Sequence, residues 1–364
     1  MTPCDLAPTH IREIMPYQPG KPISELEREL GISNIIKLAS NENPLGASPK
    51  ALDAMERALA EVALYPDGNG FELKAALCRK FGLAMDSIVL GNGSNDVLEL
   101  AAAAFLGPGT SAVYAQHAFA VYPLATKAKG AQGIEVPARN FGHDLAAMCA
   151  AIRAETRVVF IANPNNPTGT FVEANAVEAF LREVPPQVLV VLDEAYTEYL
   201  PAEKRVDSFR WLRRFPNLVV TRTFSKAYGL AGLRVGYAVA GAQIADLMNR
   251  VRQPFNVSSL ALAAATAALD DDEFLARSYA LNQAGVAQLA AGFRELGLDT
   301  IPSFGNFVTV KVGDAAAVYQ QLLRAGVIVR PIAGYGMPQY LRVSVGLAAQ
   351  NERLLAGLRQ ALER

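Results

Sequence analysis

The run Val188-Leu-Val-Val-Leu192 passes without a break into Asp193-Glu194-Ala195-Tyr196, and the next apolar run, Leu218 to Arg222, passes into Thr223-Phe-Ser225-Lys226-Ala-Tyr-Gly-Leu-Ala-Gly-Leu-Arg234. Short, largely apolar, β-branched runs of this kind are buried on both faces, as strands of a parallel sheet covered by helices are. Comparable runs stand at Ser87 to Leu90, Ser111 to Tyr114, Arg157 to Ile161 and Arg234 to Val239, each flanked by an alanine-rich helical stretch or by Gly, Pro and Asn. From about Ile35 onward this alternation predicts an α/β domain with a mainly parallel sheet between helices. After Pro254 the pattern changes to a helical segment, Ser258 to Leu296, then strands at Phe307 to Val310 and Leu341 to Val345. The expected division is an N-terminal arm (1–34) packed with a small domain, a large domain (35–254) and a smaller α+β domain (255–364).

Composition sets the class of partner. The chain has 364 residues, 51% of them hydrophobic, with 34 basic against 35 acidic side chains and a net charge of -1. Such a balance gives no global field for nucleic acid or an anionic membrane, which points to small-molecule substrates met by local groups. Cys4, Cys78 and Cys149 lie far apart without a CxxC pair, and only His10, His117 and His143 accompany them, so no metal site is expected. The N-terminus lacks an apolar signal core and no stretch reaches the length of a membrane span, so a cytoplasmic protein is expected.

Four segments at strand ends carry candidate chemistry. Ligands of open parallel sheets sit outside the carboxyl ends of the strands, which is where Asp193 stands. Taken alone, such an acid is more often a solvated loop residue or a helix N-cap. Lys226, bracketed by Thr223 and Ser225 and followed by Arg234, places an amine beside hydroxyls and a guanidinium. A desolvated lysine near another cation has a lowered pKa and can form a Schiff base with an aldehyde cofactor, whose phosphate Thr223, Ser225 and Arg234 would hold. The plainer reading is a capping serine with a surface Lys and Arg. Asn163-Pro-Asn-Asn166-Pro-Thr-Gly169 is a turn in which Asn166 has an amide to offer a cofactor hydroxyl. Gly91-Asn-Gly-Ser94-Asn95-Asp96 follows a strand and opens a helix, as a phosphate-cradling loop does, and equally as a capped helix does. Asp96 stands where a dinucleotide fingerprint has its third glycine, so the loop suits one phosphate better than a pyrophosphate.

In this order the segments resemble the fold-type I aminotransferases that use pyridoxal 5′-phosphate, over essentially the whole chain, and within them the histidinol-phosphate aminotransferase group. That closer likeness rests on Tyr17-Gln-Pro-Gly-Lys-Pro22, Ala39-Ser-Asn-Glu-Asn-Pro-Leu-Gly46, Tyr65-Pro-Asp67 and Leu341-Arg-Val-Ser-Val-Gly346. The resemblance implies Lys226 as the Schiff-base lysine and proton shuttle and Asp193 as the partner of the pyridinium nitrogen. It implies Tyr196 and Asn166 on the phenolic oxygen, Ser94, Asn95, Thr223, Ser225 and Arg234 on the phosphate, and Phe119 stacked on the ring. Tyr65 would reach the cofactor phosphate of the neighbouring subunit, which implies a homodimer. Arg342 would bind the acidic end of the substrate, and Arg330 and Tyr17 the phosphate of histidinol phosphate. An arginine in an otherwise apolar strand is costly to bury without an anion, which supports the role of Arg342 independently.

The implied reaction moves an amino group from L-histidinol phosphate to 2-oxoglutarate in histidine biosynthesis. An aromatic or broad-range amino acid aminotransferase and a threonine-phosphate decarboxylase fit the same spacing. A binding module of the same fold without turnover would lack Lys226 or carry a basic extension, and a nicotinamide oxidoreductase would lack Asp96. One departure stands out: His117 occupies the position, two before Phe119, where many relatives have proline. It reads as a structural histidine or as a ring contacting substrate.

Overall fold

The computed structural model describes residues 2–363. Its strands are β1 (Ile36–Lys37), β2 (Ile88–Gly91), β3 (Ser111–Ala115), β4 (Gln132–Val136), β5 (Thr156–Ala162), β6 (Leu189–Asp193), β7 (Leu218–Thr223), β8 (Gly236–Ala240), β9 (Thr300–Ile301), β10 (Phe307–Lys311), β11 (Val327–Ile328), β12 (Arg330–Pro331) and β13 (Tyr340–Ser344). Seven of them form one sheet in the order β2-β8-β7-β6-β5-β3-β4. Within it β4, β3, β5, β6 and β7 run parallel, and β8 runs against its neighbours β7 and β2. Every residue of β2, β3, β6, β7 and β8 is buried, which is why those strands read as unbroken apolar runs. β4 escapes that reading because Gln132-Gly-Ile-Glu-Val136 is a largely exposed edge strand.

Four further strands, in the order β12-β13-β10-β9, make the antiparallel sheet of the small domain. Its core joins Leu289, Phe293, Val308, Val310, Leu341, Val343, Leu354 and Leu358. Several helices open on a side chain that accepts an N-terminal amide, among them Ser48, Asp144, Ser258, Asp271 and Asp314. Each such cap stabilises its helix by about 1 kcal/mol.

Packing moves the expected division in three places. The segment Ser258 to Leu296 is two helices, Ser259–Leu269 and Asp272–Glu295, because the Asp271 carboxylate caps the second at the amide of Phe274. Ala261, Ala264, Ala265, Ala268 and Leu269 of the first belong to the core of the large sheet, so the large domain extends past 254 and the long second helix leads into the small one. Residues 36–38 go the other way: β1 pairs with β11, and Leu38 lies in the small-domain core. The arm is shared. Leu26, on the helix Ile23–Leu30, packs with Leu323 and Ile328 of the small domain, whereas Lys127 of the large domain donates to the carbonyl of Glu13 at 3.0 Å. Among the described residues no helix is long and apolar enough to cross a membrane.

Candidate active site

The carboxyl ends of β2, β3, β5, β6 and β7 meet the small domain around a cavity of about 190 Å³. Its lining includes Tyr17, Ser94, Asn95, Phe119, Asn166, Asp193, Tyr196, Thr223, Ser225, Lys226, Arg234, Arg330 and Arg342. Of the residues that the resemblance assigns to the site, Tyr65 alone is not brought to it: its side chain is 83% exposed and stacks on Phe255 with ring centroids 4.9 Å apart.

Asp193 ends β6 opposite Thr221 of β7, and the strand alternation turns both toward the same face. The Thr221 hydroxyl donates to Asp193 Oδ1 at 3.0 Å and the Tyr122 hydroxyl to Oδ2 at 2.8 Å. Burial pushes the carboxyl up to about 6, against the pull of those two hydrogen bonds. Tyr122 is 0% exposed and stacks on Phe160 at 4.9 Å, so its hydroxyl is fixed in place. The next residues along face the opposite way: Arg222 donates to Glu194 from Nε at 2.9 Å, the Ser208 hydroxyl donates to the same carboxylate at 2.9 Å, and the guanidinium lies 4.1 Å from the Phe209 ring centroid. That pair ties the ends of β6 and β7 together.

Lys226 follows β7, and its Nζ donates to the carbonyl of Ser40 at 3.1 Å. Burial, then the positive charge of Arg342, brings its amine down to about 7. Tyr196 accepts from Asn41 Nδ2 at 2.9 Å, and burial raises its hydroxyl to about 12. Asn41 also binds Ser344 and Asn306, so it fastens Tyr196 to the small domain.

On the small-domain side, Arg342 is buried in β13, with Nη1 donating to Asn166 Oδ1 and Nη2 to the carbonyl of Ala39, both at 2.6 Å. Its Nε is buried with no partner, and burial lowers its pKa. Arg330 of β12 stands directly opposite Arg342 across the ladder, lies 5.5 Å from the Tyr17 ring and donates to the carbonyl of Gln18. Like charges opposite one another on adjacent strands repel. Two arginines held so at one cavity make a site for an anion.

The remaining donors fit a phosphate. Arg234 adopts φ +53 and donates to Ser225 Oγ at 3.2 Å. Gly93, at φ +81, leaves room for that guanidinium, since a Cβ there would lie 2.5 Å from Nη2. Gly236 does the same for the helix Ser94–Phe105, a Cβ there falling 2.5 Å from the amide of Ser94. Guanidinium, hydroxyls and the N-terminal end of that helix thus converge on one cavity. His117 lies outside this lining. Its Nδ1 donates to the carbonyl of Tyr335 at 2.5 Å and its φ is +57, a value closed to the proline of many relatives, so it acts as a structural contact.

Comparison with known proteins fits this geometry. The sequence profile of the class I and II aminotransferases matches residues 33–358. The chain belongs to that family. It is 66% identical to the histidinol-phosphate aminotransferase of Methylobacillus flagellatus, over 99% of this chain and 98% of that protein. It is 64% identical to histidinol-phosphate aminotransferase 2 of Nitrosospira multiformis, over 100% of this chain and 93% of that protein. Its fold matches the histidinol-phosphate aminotransferase of Sinorhizobium meliloti, solved in complex with pyridoxal-5′-phosphate, with a TM-score of 0.90 and 29% identity over 98% of this chain and 97% of that one. The architecture is that of the fold-type I enzymes, and the chain is an aminotransferase. Sequence reasoning gave no role to Tyr122, Thr221 or Asn41 in this aminotransferase. Asn41 stood in a segment already quoted, Tyr122 three residues beyond Phe119, and Thr221 was accessible as the alternation partner of Thr223 on β7.

Proposed function

We propose that this aminotransferase transfers the amino group of L-histidinol phosphate to 2-oxoglutarate, giving imidazole-acetol phosphate and glutamate in histidine biosynthesis, with pyridoxal 5′-phosphate as cofactor. The observation that carries the reading is the opposed pair Arg330 and Arg342 on β12 and β13, facing the cavity that also holds Lys226 and Asp193. The relatives' names support the same substrate.

Ser94, Asn95, Thr223, Ser225 and Arg234 would hold the cofactor phosphate, Phe119 its ring face, Tyr196 and Asn166 its phenolic oxygen, and Asp193 its ring nitrogen. When bound, the cofactor supplies an electron sink for the pair left on the substrate Cα. Asp193 keeps a proton at the ring nitrogen, and the fixed hydroxyls of Tyr122 and Thr221 keep its oxygens aimed. Lys226, with its amine near 7, would take the proton from the substrate Cα and give it up again within the same half-reaction. Arg342 accepts the phosphate of one substrate and the carboxylate of the other, since a guanidinium fork suits both. Arg330 and Tyr17 act at the mouth on the phosphate.

Each site takes Tyr65 from a second copy of the chain. That reading is supported by the exposure of Tyr65 along with Leu59, Val62 and Leu64. Cys4, Cys78 and Cys149 are unpaired, as suits the reducing cytoplasm in which we place the enzyme. The test is Arg330→Ala: KM for L-histidinol phosphate should rise about tenfold, the loss of one charge-assisted contact, with KM for 2-oxoglutarate nearly unchanged. Equal rises for both would remove the assigned role of Arg330.

A further inference from the structure

The segment 252–256 joins the helices Ala242–Arg250 and Ser259–Leu269 and lies against two loops at once. On one side Asn256 Nδ2 donates to Asp96 Oδ2 at 2.7 Å and to the carbonyl of Leu90 at 3.2 Å, and the Asn256 carbonyl accepts from Asn92 Nδ2 at 3.0 Å. Asp96 Oδ2 also accepts the amide of Asn92 at 2.8 Å. The acid in the phosphate loop is thereby engaged by Asn256 and by the loop's own backbone, which resolves how a carboxylate is tolerated one residue from Asn95. On the other side Arg252 donates from Nη2 to the carbonyl of Gly68 at 2.9 Å, and the Phe255 ring carries Tyr65. Phe255 adopts φ +56, and a Cβ on Gly68 would stand 3.3 Å from its ring. Arg252 Nη1 donates to Asn256 Oδ1 at 2.8 Å, which closes a continuous chain of hydrogen bonds from Asp96 to Gly68.

We infer that Arg252 and Asn256 are positioning residues that serve two active sites: through Asp96 they brace the phosphate loop of their own subunit, and through Gly68 and Phe255 they set the loop that presents Tyr65 to the partner. This rests on the proposed delivery of Tyr65 across a dimer. The two phosphate sites are then mechanically linked, because the element that shapes one also aims the tyrosine of the other. Neither residue lines the cavity of its own subunit.

Hybrid dimers test this. One subunit keeps Lys226 and forms the single live site, and its partner carries Lys226→Ala and donates Tyr65. Asn256→Ala is placed in either subunit, and retention of pyridoxal 5′-phosphate by the live site is read from its absorbance after dialysis. The expected result is a weakening of about fivefold, the change one lost hydrogen bond brings, from either position. Arg252→Gln, which removes the Gly68 contact and spares the bond from Asn256 to Asp96, should weaken retention more from the donating subunit than from the live one. A purely structural role would lower thermal stability without that asymmetry. Tyr65→Phe in the donating subunit is the control. If it leaves retention unchanged, the dimer reading fails; if it weakens retention while Asn256→Ala acts from one position only, or from neither, the brace is overturned.

Discussion

Lys226 sits where burial and the charge of Arg342 hold its amine near 7, well below its ordinary 10.5. A depressed lysine costs the folded chain stability in full below pH 7, and the cost fades as pH rises toward 10.5, where the unfolded amine is also neutral. Lys226→Met should therefore raise the melting temperature of the cofactor-free protein at pH 7, and the gain should shrink steadily toward pH 10. Because the side chain keeps part of its surface open to the cavity, the gain is held to about 1–2 kcal/mol. A pH-independent difference between the two proteins would show that the amine is not desolvated. Asp193 makes a complementary case. Its carboxyl, raised to about 6 by burial, depends on the Tyr122 hydroxyl for both aim and charge. Tyr122→Phe should lower kcat about tenfold with little change in either KM, as loss of a hydrogen bond to a charged group does away from the substrate. Unchanged kcat in steady-state assays would mean that Thr221 alone is enough. These partnerships were only half legible beforehand: Asp193 and Lys226 could be placed at strand ends, whereas the duty of Tyr122 depends on a helix packed against β3 and β4 that brings its hydroxyl to the end of β6, which spacing along the chain does not reveal.

The elements that hold the site read well where burial was complete and poorly where it was not. β2, β3 and β5 to β8 stood out because each is buried along almost its whole length, and β4 was missed because an edge strand needs no apolar run. The alanines of the helix Ser259–Leu269 fit either domain by pattern, and only their packing against the helix Pro49–Ala58 assigns them to the large one. The phosphate loop shows a tighter constraint. Gly93 combines φ +81 with the close approach of Arg234, so Gly93→Ala strains the turn and displaces the guanidinium together. We expect cofactor retention to fall at least about tenfold, with the far-ultraviolet circular dichroism spectrum unchanged. Retention at the level of the parent protein would show that the loop can bend without losing its phosphate contacts.

At the scale of the molecule, the two domains meet so that each contributes half of an anion trap. The large sheet ends in donors suited to a cofactor phosphate, and the small sheet brings Arg330 and Arg342 to the same cavity, where the proposed function puts the acidic end of the substrate. The order of segments along the chain indicated the large-domain half, because ligand sites of open α/β sheets collect at strand ends, whereas Arg330 and Arg342 were implied by the family resemblance. Their facing geometry was not legible, since the pairing of Arg330 with Arg342 depends on the register of β12 against β13. The central claim is that this trap is built for a substrate carrying a phosphate. The most direct test supplies the holoenzyme with 2-oxoglutarate and, separately, L-histidinol phosphate, L-phenylalanine or L-threonine phosphate, and measures glutamate formed and carbon dioxide released. The geometry predicts the highest kcat/KM with L-histidinol phosphate, by about a hundredfold over phenylalanine, with no carbon dioxide from any of the three. Equal rates with phenylalanine, or carbon dioxide from L-threonine phosphate, would contradict it.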